Sequence, residues 1–89
     1  MNDKITKVLL LTIALNDAVD IKKVYYSCYY EGNVSLIDVT KFVRDDEHCA
    51  IENAWRVYVN DENADKLLDN MIEQLEAELK EATKKNDIE

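Results

Sequence analysis

The chain of 89 residues has no proline and a single glycine, Gly32. Tight turns are therefore few, and most of the chain is expected in regular structure. One histidine and two cysteines leave little material for nucleophilic catalysis or metal binding. A Gly-rich phosphate loop and a CxxC pair are both missing. Basic residues are also scarce: 11 Lys and Arg stand against 19 Asp and Glu, for a net charge of -8. Nucleic acids and anionic membranes are both held largely by Lys and Arg, so direct binding to either is not expected. The longest aliphatic stretch, Val8–Leu11 resumed at Ile13–Leu15, reaches about half the length that spans a bilayer. Lys4 and Lys7 before it faintly resemble a signal peptide, but Asp3 precedes them and no small-x-small cleavage site follows. Cys28 and Cys49 are read as buried free thiols, and the chain as cytoplasmic.

What is present fits one small acidic domain spanning residues 1–89. Hydrophobic residues make up 47% and charged residues 34%, a balance that supports a packed core. The charge is uneven. Residues 1–44 hold five acids and six bases, whereas residues 45–89 hold fourteen acids and five bases. No linker separates the halves, so the expected product is a single fold with a polarised surface.

Residues 3–16 suit a helix through Ile5, Val8, Leu9, Thr12 and Ile13, with Asn2 or Asp3 as cap. Their β-branched content also suits a buried strand. Some twelve unbroken residues are long for a strand, and helix is preferred. Two β-rich runs, Val24–Tyr30 and Val34–Val43, flank Glu31-Gly32-Asn33. A two-residue Gly32-Asn33 loop would pair Glu31 with Val34. One face of this hairpin then holds Val24, Tyr26, Cys28, Ile37 and Val39, the core side. The other holds Tyr25, Ser27, Tyr29, Leu36, Asp38 and Thr40. Asp45–Asn53 reads as an acidic loop and Ala54–Val59 as a third strand, with Trp55, Val57 and Val59 inward and Arg56 and Tyr58 outward. Asn60 or Asp61 caps a helix running to about Lys85, with Leu68, Ile72, Leu75, Leu79 and Ala82 as its apolar stripe. The expected fold is α+β: an αβββα chain whose three-stranded antiparallel sheet packs against helices. Its core is expected to gather Trp55, Val57, Tyr26, Cys28, Ile37, Val39, Leu68, Ile72, Leu75, Ile5 and Leu9.

An apolar helix comes first, then an aromatic strand ending in Tyr-Glu-Gly-Asn-Val (30–34). A β-branched return strand follows, and Val-Tyr-Val-Asn-Asp-Glu (57–62) leads into an acidic Leu-rich helix. As a pattern over residues 5–80, this resembles small acidic proteins of phages and mobile elements of Gram-positive bacteria. Some of those are anti-defence inhibitors of the anti-CRISPR kind, acting on host nucleases. The resemblance implies a mobile-element origin and carries over no functional residue.

Three features invite a functional reading. The first is Asp45-Asp46-Glu47-His48-Cys49. An adjacent Cys and His point in different directions on most backbones, and no third group orients them, so no catalytic residue is assigned. The acids lack the Gly and spaced oxygens of a calcium loop, so neither metal nor cofactor is expected. The segment is read as a solvated loop with the Cys beneath it. The second is a set of tyrosines, Tyr25 and Tyr29 on the outer hairpin face with Tyr58 and Arg56 on the third strand. Aromatics on a sheet stack bases in RNA-binding modules, but the basic surround is missing. Tyr and Arg dominate protein interfaces, which makes a protein-binding patch the better functional reading. The same tyrosines would equally suit half-buried positions under a helix.

The third is a row of acids, Asp61, Asp65, Asp69 and Glu73, spaced every four residues along one side of the last helix. Like charges at this spacing oppose the helix, and no Lys sits in the row; farther on, Glu76–Lys80 and Glu81–Lys85 pair conventionally. Successive carboxylates rise by roughly 6 Å, comparable with phosphates along a nucleic-acid strand. With Asp45, Asp46, Glu47 and Glu52 the row has the charge to imitate DNA, although a solvated face of an acidic protein has the same composition. The leading expectation is a non-enzymatic inhibitor or modulator that occupies the basic groove of a host nucleic-acid-binding or defence protein. The alternative is an assembly module that homodimerises through the 68-72-75-79-82 seam.

Overall fold

The computed structural model describes residues 2–88, with side chains from Asp3 to Lys84. Asn2 as a helix cap and the Glu81–Lys85 pair therefore lie outside the described side chains. The elements are α1 (Asn2–Ala18), β1 (Val24–Glu31), β2 (Leu36–Arg44), β3 (Cys49–Tyr58) and α2 (Ala64–Ile88). The strands form an antiparallel meander in the order β1-β2-β3. This is the α+β architecture expected from the sequence.

The β1–β2 turn differs from expectation. Glu31 pairs with Leu36, not Val34, so Gly32–Ser35 form a four-residue connection. The left-handed residue is Ser35, at φ 52°, and Gly32 does not have positive φ. The Ser35 carbonyl accepts the Val59 N–H at 2.7 Å, which ties this loop to the end of β3. Side chains alternate with period two along a strand, so a slip of two residues leaves both faces as expected. Tyr26, Cys28, Ile37 and Val39 face the core, while Tyr25, Ser27, Tyr29, Asp38 and Thr40 face away.

β3 is longer than expected. Residues 49–53 are strand, so the acidic loop shrinks to Asp45–His48. Lys41 pairs with Asn53 and Phe42 with Ile51, leaving Glu52 as the extra residue of a bulge. The bulge reverses the side-chain phase: Trp55 and Val57 point to the core, whereas Ile51 and Cys49 lie on the outer face. An alternation that changes phase midway does not read as one strand.

Both helices pack on the same side of the sheet. The core gathers Tyr26, Ile37, Val39, Trp55 and Val57 with Val8, Leu11 and Leu15 of α1 and Ala64, Leu68, Met71, Ile72 and Leu75 of α2. The phase of α1 is a correction. Leu9 was expected inside and is 43% exposed; Ile13 is 59% exposed, and Leu11 and Leu15 are buried in their place. Ile5 and Cys28 are only partly buried at the core's edge. Val8–Leu11 is four aliphatics in a row, so hydrophobic periodicity cannot choose the buried face. Leu68, Ile72 and Leu75 of the proposed dimer seam lie in this chain's own core. The seam is therefore not available to a second copy in this fold.

The two side edges of the sheet are blunted by asparagines. Asn16 of α1 accepts the Tyr26 N–H at 2.7 Å and donates to the Tyr26 carbonyl at 2.8 Å. On β3, Asn53 Oδ1 accepts the Ala54 N–H at 2.9 Å. Edge strands left bare invite pairing with other chains. Among the described residues, no helix is long and apolar enough to cross a membrane.

Candidate protein-binding face

Two helices on one side leave the other side of the sheet uncovered, and the register decides which residues meet there. At the hairpin end, Tyr29 pairs with Asp38 and Asp38 with Arg56. Two residues along, on the same face, Leu36 pairs with Tyr58. Asp38 is 8% exposed, although it lies on the outer face. It accepts from Thr40 Oγ1 at 2.7 Å and from Arg56 Nε at 3.0 Å. A carboxylate with hydrogen bonds to both oxygens is satisfied in place, and it holds the Arg56 fork across the strands. The hydrogen bond to Asp38, and then the charge of that carboxylate, raises the Arg56 pKa. The Arg56 side chain remains 60% exposed.

Tyr29 and Tyr58 flank this pair, 54% and 47% exposed. The Tyr29 hydroxyl donates to Glu31. That bond, then the Asn33 N–H, lowers the Glu31 pKa, and the same bond raises that of Tyr29. Tyr29 is thus anchored through its hydroxyl while about half of the residue stays in solvent.

At the opposite end of the face Tyr25 stacks on Phe42, with centroids 4.7 Å apart and planes 13° from parallel. The Arg44 guanidinium lies 4.5 Å from the Tyr25 centroid, within cation–π range. The Tyr25 hydroxyl and Cys49 Sγ are 3.7 Å apart, a contact that raises the Tyr25 pKa together with desolvation. Cys49 is exposed, not tucked beneath the loop, and Cys28 is half-buried; both are free. Tyr25, Tyr29, Tyr58 and Arg56 therefore share one face, as expected. Phe42, Arg44 and Ile51 join Tyr25 there and were missed: the expected Glu31–Val34 register sets Tyr25 against Thr40 in place of Phe42, and reading residues 49–53 as loop removes Ile51. Phe42 and Arg44 follow Thr40 at period two, which was the available signal.

The candidate acidic surface is less uniform than the sequence suggested. Asp61 precedes α2, in a turn where it accepts the Asn63 N–H at 2.8 Å, so it is not part of the helical row. Asp65 and Asp69 are not uncompensated. Lys4 of α1 reaches both, at 2.7 and 2.8 Å. The Lys4 pKa is raised by these two bonds, and that of Asp65 is lowered by its bond to Lys4. Glu76, expected to pair with Lys80, lies 3.6 Å from Lys7 instead. Low residue numbers of α1 meet low numbers of α2, so the helices run parallel, and these cation–carboxylate contacts bridge them. Glu73 of the row is exposed.

Among the remaining acids, Asp45 accepts the N–H groups of Glu47 and His48 at 2.9 and 2.7 Å, which lowers its pKa. Asp46 and Glu47 are exposed in the same loop, next to the Tyr25 end of the outer face. Glu52 lies 3.6 Å from Lys41, which also pairs with Glu78 at 3.0 Å. Behind them lies a cleft of about 490 Å³ lined by Tyr26, Lys23, Lys41, Asp20, Glu78 and Glu81, among others. Among the described residues, no group of three His, Cys, Asp or Glu side chains is gathered for a metal ion. Comparison with protein-family models, curated proteins and solved structures finds no match to this chain.

Proposed function

We propose that the protein is a non-enzymatic binder that inhibits or modulates a basic host protein, with the open face of the sheet as its contact surface. The observation that carries this is the convergence of Tyr25, Tyr29, Tyr58 and Arg56 on a face that neither helix covers. Exposed Tyr and Arg side chains held by neighbours are the composition of interface hot spots, because little rotamer entropy remains to be lost on binding. Asp45, Asp46 and Glu47 stand at one end of the face as an acidic rim, which favours a basic partner and speeds its approach.

Imitation of nucleic acid by the α2 row is the narrower form of this reading. With Asp65 and Asp69 already bonded to Lys4, the row offers less free charge than its sequence implies. The sheet face is the preferred contact for that reason. A host protein that handles nucleic acid remains the proposed class of partner, since such proteins expose basic grooves.

The test is affinity capture from host lysate at low and high salt, read by mass spectrometry. Baits are the wild-type chain, a Tyr29→Ser/Arg56→Gln/Tyr58→Ser variant and an Asp69→Asn/Glu73→Gln variant. The proposal expects a basic protein that wild type and the helix variant retain and the sheet variant loses. Retention by the sheet variant with loss by the helix variant would overturn the sheet assignment.

A further inference from the structure

The layer opposite the open sheet face carries a second unexplained surface. On α1, Leu9, Leu10 and Ile13 are 43%, 59% and 59% exposed. Scattered exposed aliphatics are normal, but three neighbours on one ridge are a patch. With Val8, Leu11, Thr12 and Leu15 turned to the core, the helical repeat sets Asp3, Thr6, Leu10, Ile13 and Asp17 along the opposite line. Their spacing of 3, 4, 3 and 4 is that of a helix–helix seam. Among the described residues, Leu9, Leu10 and Ile13 take no part in the core cluster.

The surroundings of the ridge are acidic. Asp3 and Asp17 close its two ends, both exposed. On its α2 side the contacts of Lys4 with Asp69 and of Lys7 with Glu76 bring up a border of Asp69, Glu73 and Glu76. Lys4 and Lys7, the bases of α1, already hold Asp69 and Glu76, so the charge offered to a partner is chiefly that of Asp3, Glu73 and Asp17, all exposed.

We infer that the ridge is a docking surface for an amphipathic helix of another protein, one with an aliphatic seam and basic flanks. Charge decides the occupant. A second copy docking ridge to ridge would set Asp3 against Asp17 if antiparallel, and each Asp against itself if parallel. Each copy also carries a net charge of -8. An anionic membrane meets the same repulsion. A helix with Leu along its seam and Lys beside it matches the ridge with its apolar side and the acidic border with its charges. The sheet face lies in the other layer, so this inference stands independently of the function proposed above.

The test uses two synthetic helical peptides, one with Leu at the seam and Lys on the flanks, the other with Glu replacing Lys. Each is titrated into the full chain by calorimetry. The Lys peptide is expected to bind and the Glu peptide not to. Leu10→Asp/Ile13→Asp should weaken the Lys peptide at least tenfold, although it adds two negative charges. Leu10→Ser/Ile13→Ser should act in the same direction, and Tyr29→Ser should bind as wild type. Equal or tighter binding by the Asp variant would mean bare charge attraction and overturn the proposal. So would equal binding of the Glu peptide, or a wild-type dimer by sedimentation that Leu10→Asp dissociates.

Discussion

The carboxamide of Asn16 takes both backbone hydrogen bonds that Tyr26 turns away from β2, at 2.7 and 2.8 Å. One side chain thereby substitutes for a neighbouring strand and fixes α1 against the edge of the sheet. Asn16→Ala leaves the N–H and carbonyl of Tyr26 partly buried and unpaired, at a cost of about 1–3 kcal/mol. Urea denaturation should show the loss, and light scattering should show slow association through the bared edge.

The core has a simpler test. Leu75 is fully buried among residues of both helices and the sheet. Leu75→Ala should destabilise by about 2–5 kcal/mol, measured by thermal or urea unfolding. Leu9→Ala, on the exposed side of α1, should change stability little. A large loss at Leu9 and a small one at Leu75 would mean that the helices pack in another phase.

Lys4 bridges Asp65 and Asp69 from the other helix. The Asp65 pKa is lowered in the folded chain, so its contribution to stability is complete above the ordinary carboxylate value. It is lost as pH falls through the lowered folded value. The Lys4 pKa is raised, so its contribution is complete below the ordinary lysine value and is lost as pH rises through the folded one. Lys4→Met should lower the urea midpoint at neutral pH and flatten the acid limb of a stability–pH curve. The difference from wild type should shrink in high salt, because the pair is exposed.

The thiols differ in access. Burial raises the Cys28 pKa on the core side of β1, whereas Cys49 is exposed at the start of β3. Native alkylation followed by intact-mass measurement should add one label, at Cys49. Two labels should appear after denaturation, and no disulfide should be recovered.

Much of this fold is legible in the sequence where a local pattern suffices. Alternation over 24–43 assigns both hairpin faces even though the turn was misread, because Glu31 meets Leu36 two residues from the expected partner. The 4-3 stripe of α2 identifies Leu68, Ile72 and Leu75 as a buried set. Three features escaped for physical reasons. The aliphatic run of α1 has no periodicity to set its phase. The bulge at Glu52 disguises the first half of β3 and with it the placement of Cys49 and Ile51 on the outer face. The neutralisation of Asp65 and Asp69 comes from Lys4, some sixty residues away, and helical spacing within α2 says nothing of it.

The sheet face is best tested by fluorine NMR on protein labelled with 3-fluorotyrosine, which places a probe at each of the five tyrosines. The captured basic partner is titrated in and the resonances followed. Tyr25, Tyr29 and Tyr58 should shift or broaden on the open face, while Tyr26, buried against the helices, should stay in place. Binding that leaves Tyr25, Tyr29 and Tyr58 unmoved would contradict the assignment of the sheet as the contact surface.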